Sequence, residues 1–117
     1  MASRDATIFR TPTAGDPMLA EVVRRLVEAY QPERVYLFGS VARGDAGPHS
    51  DYDLLVVVPD NASPERLRSR LAYQSLRGTG TAVDVVVWPT SAFERRARVV
   101  SSLPASVLRE GMLLYGA

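Results

Sequence analysis

The sequence has no cysteine, which excludes a disulfide scaffold, a Cys-ligated zinc site and a thiol nucleophile. It has no lysine either: all fourteen basic residues are arginine. Schiff-base chemistry and a Walker-type phosphate loop both need a lysine amine, so both are excluded. His49 is the only histidine, which rules out paired-His metal sites and disfavours a Ser-His-Asp triad. No apolar run approaches the roughly 18 residues needed to span a membrane. Residues 1–15 lack the apolar core of a signal peptide, so a cytoplasmic protein without membrane attachment is expected. Fourteen basic against thirteen acidic groups leaves +1, too weak a field for strong electrostatic binding of nucleic acid.

What is present reads as one folded unit. At about 150 residues per domain, 117 residues give a single domain. The 46% apolar and 23% charged content is that of a chain able to bury its own core. Residues 1–15 show no sustained period and are expected to form a flexible N-terminal arm, ahead of a domain spanning 16–117.

Asp16 and Pro17 suit the N-cap and first position of a helix whose apolar stripe runs Leu19, Val22, Val23, Leu26, Val27 and Tyr30, with Pro32 as its stop. Arg34–Phe38 reads as a strand, Gly39-Ser40 breaks it, and a short helical turn over 41–43 leads to a polar turn over 44–50. Tyr52–Val58 is a second strand. Ser63 and Pro64 predict the start of a helix running to about Leu76. A Gly-Thr-Gly turn precedes a third strand over Thr81–Trp88. Ser91 and Glu94 suggest a capping box for the next helix, a last helix runs from Pro104 to Gly111, and Met112–Tyr115 adds an edge strand. Short apolar strands alternating with helices predict an α/β (α+β) fold: a small mixed β-sheet covered by helices on at least one face.

The chemistry concentrates between Gly39 and Asp53. Gly39 allows a close backbone approach, and the N–H groups and Ser40 hydroxyl at the start of a helical turn make a phosphate site, although a plain capped turn has the same composition. Asp51 and Asp53, two apart at the head of a strand, project to one face. Their repulsion calls for a cation, and Mg²⁺ commonly binds one or two carboxylates plus substrate phosphates; a pair of solvated turn aspartates is the alternative. Asp84 lies within an apolar strand, where a buried carboxylate is costly unless paired or on a metal; an edge-strand aspartate facing water is the alternative. Phosphate-binding backbone, paired acids and a third acid on the next strand are together the parts of a nucleotidyl-transfer site.

Gly39-Ser40, ten intervening residues and Asp51-Tyr52-Asp53 resemble the signature of the DNA polymerase β-like nucleotidyltransferase superfamily. The fuller run through Arg43 and on to Leu54-Leu55-Val56 is similar to its minimal nucleotidyltransferase branch. The resemblance implies a nucleotidyltransferase fold, with Gly39 and Ser40 on the triphosphate and Arg43 on the nucleotide side. It implies Asp51 and Asp53 on Mg²⁺, and Asp84 as a third metal-site carboxylate that helps activate the acceptor. It further implies ATP as donor of AMP and, as acceptor, a tyrosine of a HEPN-domain protein silenced as the toxin of a toxin–antitoxin pair. A chain this short leaves little room for an acceptor pocket, so the acceptor is expected on another protein. Two alternatives stay open: a non-catalytic antitoxin acting by contact, and an aminoglycoside-type enzyme in which a homo-oligomer builds the pocket. Arg66, Arg70, Tyr73 and Arg77 line up at helical spacing and are expected to be a solvated face opposite Leu67 and Leu71; Trp88 and Phe93 are expected in packing.

Overall fold

A computed structural model describes residues 16–44 and 51–116. The expected arm over 1–15 and most of the polar turn over 44–50 lie outside the described residues. The elements are α1 (Pro17–Tyr30), β1 (Arg34–Phe38), α2 (Gly39–Arg43), β2 (Tyr52–Val58), a 3-10 turn (Pro64–Leu67), α3 (Arg70–Ser75), β3 (Val83–Pro89), α4 (Thr90–Ala97), α5 (Leu103–Glu110) and β4 (Met112–Tyr115).

The sheet has the order β3-β2-β1-β4; β2 and β3 are parallel, and β1 is antiparallel to both β2 and β4. The mixed sheet covered by helices is thus as the sequence predicts, and the helices lie on both of its faces. Val35, Leu37, Leu54, Val56, Val58 and Val85 pack on one side with Leu19, Val22, Val23, Leu26 and Tyr30 of α1 and Ala72 of α3. Tyr36, Leu55 and Val57 point the other way, against Phe93 of α4 and Val107 of α5. Leu54 to Val58 are therefore all buried, which is why β2 reads as a continuous apolar run instead of an alternating one. Tyr36 and Phe93 stack with centroids 5.6 Å apart, and the Arg34 guanidinium lies 5.5 Å from the Phe93 centroid. No helix among the described residues is long and apolar enough to cross a membrane.

α1 begins as its caps dictate: Asp16 Oδ1 accepts from Leu19 N at 3.1 Å. It ends one residue before the expected stop region, at Tyr30, because Gln31 adopts a left-handed conformation (φ 48°) and returns its N–H to Val27.

Three expectations need correction. The helix expected from Ser63 to Leu76 is broken into the 3-10 turn and α3, with Ser63 making no side-chain cap. Tertiary bonds win over local propensity here. Tyr30, fully buried, donates its hydroxyl to the Arg68 carbonyl and accepts from Ala72 N, drawing the chain out of helical register at Arg68. Arg66 turns back to donate to the Tyr30 and Gln31 carbonyls at 2.8 and 3.2 Å, capping α1. Arg70, Tyr73 and Arg77 are exposed, as expected of a solvated face, but Arg66 leaves that stripe and Leu67 is itself exposed. The capping box of Ser91 and Glu94 does not form: α4 starts at Thr90, and Asp60 Oδ1 accepts from Ser91 N at 2.9 Å. That cap comes from a distant segment, which a local motif cannot reveal. The third strand starts at Val83, not Thr81, because Thr81 N is directed to the Thr79 hydroxyl in the preceding turn.

Candidate active site

The strand order sets one row of residues across the sheet. Phe38 ends β1 opposite Asp53 in β2, and Asp53 stands in register with Asp84 in β3. Neighbouring strands are about 4.8 Å apart, so two in-register side chains emerge side by side on one face. The face is the one that carries Leu55 and Val57, by alternation along β2. Asp53 is half-buried; Asp84 and Asp51 are exposed.

The turn after β1 is shaped around Asp53. Gly39 has φ +76°, a conformation that side-chain-bearing residues rarely adopt. A Cβ placed on it would overlap Asp53 Oδ2 and lie 3.1 Å from the carboxylate carbon. Glycine at 39 thus serves both the left-handed turn and the close approach of the acid. Two substitutions separate these roles. Gly44 has φ +80° but open space around a would-be Cβ. Gly39→Ala and Gly44→Ala should each cost about 1–2 kcal/mol in urea unfolding from backbone strain. Only Gly39→Ala should also abolish the nucleotidyl transfer that the sequence motif implies, because it alone displaces the carboxylate; equal activity losses in the two variants would contradict this.

Asp84 is not the buried acid that its apolar neighbours suggest. β3 is an edge strand, and the carboxylate faces outward. Among the described residues it makes no hydrogen bond or ion pair. Burial therefore does not single it out; its register with Asp53 does. Asp51 precedes β2 and stays exposed, and the three acids do not close into a cage: among the described residues no group of three His, Cys, Asp or Glu side chains could hold a metal ion. Two adjacent carboxylates, one of them exposed, still fit Mg²⁺, whose sites are completed by phosphate oxygens and water. Gly39, Ser40 and Arg43 all belong to α2, whose first residue, Gly39, lies against Asp53.

Tyr52, a mere spacer in the sequence, points to the opposite face, where it packs against the core under α1. Its hydroxyl donates to Asp16 Oδ2 at 2.5 Å. That bond, followed by burial, pushes its pKa up to about 12, so the phenol stays a donor throughout the neutral range. Asp16 was legible as a helix cap, but its second oxygen bonds a residue 36 positions away, beyond any local pattern.

Residues 19–110 match the family described as nucleotidyltransferase domain. The chain belongs to the nucleotidyltransferase domain family. It is a transferase, and its mixed four-stranded sheet with helices is the fold of that family. Among solved structures, this nucleotidyltransferase is similar to a toxin–antitoxin crystallised with AMP-PNP: 25% identity, TM-score 0.55, covering 82% of this chain and 72% of that one. It is also similar to a Sulfolobus solfataricus protein assigned to the nucleotidyltransferases (29% identity, TM-score 0.51, 68% of this chain and 70% of that one). A mutant of the MntA–HpeT toxin–antitoxin matches at 26% identity and TM-score 0.52, over 81% of this chain and 70% of that one. No curated protein matches the chain.

Proposed function

We propose that this nucleotidyltransferase transfers AMP from ATP, with Mg²⁺, to a tyrosine hydroxyl of a partner protein, and acts as the antitoxin of a pair whose toxin carries a HEPN domain. The observation that carries the chemistry is the row of Asp53 and Asp84 beside Gly39. The toxin–antitoxin setting is supported by the two similar structures named as such.

In this reading the backbone of Gly39 and Ser40 receives the triphosphate and Arg43 lies on the nucleotide side. Asp51, Asp53 and Asp84 are the carboxylates of the metal site. Mg²⁺, when bound, neutralises the triphosphate and the leaving pyrophosphate. The acceptor oxygen bonds to the α-phosphorus, the bond to the bridging oxygen breaks, and pyrophosphate leaves. Asp84 takes the hydroxyl proton. Its exposure on an edge strand suits an acceptor presented by another macromolecule.

Metal and nucleotide should therefore bind together. Carboxylates repel a bare triphosphate, so calorimetry should detect ATP binding with Mg²⁺ and little or none in excess chelator. Equal affinity under both conditions would reject the metal role of the acids.

A further inference from the structure

The segment carrying the paired acids is held from behind. Tyr52 N donates to the Ala82 carbonyl at 3.2 Å, which ties the segment to the start of β3. The Tyr52 hydroxyl donates to Asp16 Oδ2, while Asp16 Oδ1 caps α1 at Leu19 N. One carboxylate thus joins the first turn of α1 to the residue between Asp51 and Asp53. In a strand, rotation at Tyr52 would swing both of its neighbours on the opposite face. The phenol, partly buried, packs against the core under α1, on the face opposite Asp53, so the bond acts on the acids from behind.

We infer that Asp16 and Tyr52 are positioning residues: their side-chain bond fixes the orientation in which Asp51 and Asp53 meet Mg²⁺ and nucleotide. This rests on the nucleotidyltransferase reading of the acids given above. Outer partners of this kind order a metal site by limiting the conformations of the ligand-bearing segment.

The test separates positioning from general stability. Tyr52→Phe keeps the ring and removes the donor. Asp16→Asn keeps an oxygen for the helix cap, but its amide nitrogen cannot accept from the phenol. Val22→Ala removes core packing on α1 and leaves the bond intact. ATP binding is measured against Mg²⁺ concentration, together with melting temperature, and amide exchange over 51–54 is followed in metal-free protein. Tyr52→Phe and Asp16→Asn should each need about 10-fold more Mg²⁺ for half-maximal ATP binding and should exchange faster over 51–54. Val22→Ala should keep the wild-type Mg²⁺ requirement despite a lower melting temperature. Wild-type Mg²⁺ dependence in the two bond variants, or an equal shift in Val22→Ala, would overturn the inference. If wild-type protein binds ATP without regard to Mg²⁺, the reading of the acids fails. The exchange measurement then still decides the positioning: unchanged rates over 51–54 in Tyr52→Phe overturn it.

Discussion

Asp53→Asn should lower AMP transfer by about 10³-fold while leaving the circular dichroism spectrum unchanged. Charge stabilisation by a metal at the transition state is worth several kcal/mol, and each 1.4 kcal/mol is about tenfold in rate. Asparagine has the same shape, so it fits against Gly39 where the carboxylate does. What it removes is the negative charge at the centre of the row between Phe38 and Asp84. Transfer of labelled AMP and the spectrum are read on the same preparation. Wild-type transfer would refute the role of Asp53, and so would a loss of transfer that merely tracks a loss of fold.

Asp84→Asn should cost about 10²–10⁴-fold in transfer, the usual range for a removed general base. Its stability should go the other way. Asp84 is exposed, makes no hydrogen bond or ion pair among the described residues, and stands beside a second acid in register. Like charges side by side on adjacent strands are destabilising, so the melting temperature should hold or rise slightly. A carboxylate kept at a cost to stability is what a functional site leaves behind. A marked fall in melting temperature would mean that Asp84 serves the fold, and the assignment would be withdrawn.

The strands flanking the site were legible in the sequence, and for physical reasons. Arg34–Phe38 and Tyr52–Val58 are short runs of β-branched and aromatic residues bounded by breakers, and both form with the expected limits. α1 was legible because Asp16, Pro17 and a regular apolar stripe all specify the same helix. Between Ser63 and Leu76 these signals gave way to Tyr30 and Arg66, whose hydrogen bonds to remote backbone set the break. The site shows the same division. The spacing of Asp51 and Asp53 states that they share a face, but only sheet register places Asp84 next to Asp53. The apolar neighbours of Asp84 pointed to burial; its place near the start of an edge strand leaves it exposed instead.

Catalysis and contact make opposite demands on stoichiometry, so a single titration tells them apart. The RNase activity of a HEPN-domain partner is measured against the ratio of this protein to the partner, with ATP and Mg²⁺, and the intact mass of the partner is read in parallel. Catalysis predicts that a trace of the protein silences a large excess of partner and adds the mass of AMP. It also predicts that inhibition persists after the protein is removed and that Asp53→Asn is without effect. Inhibition at one-to-one ratio, reversed by dilution, with no added mass and with full potency in Asp53→Asn, would be mass action by a binding module and would contradict it.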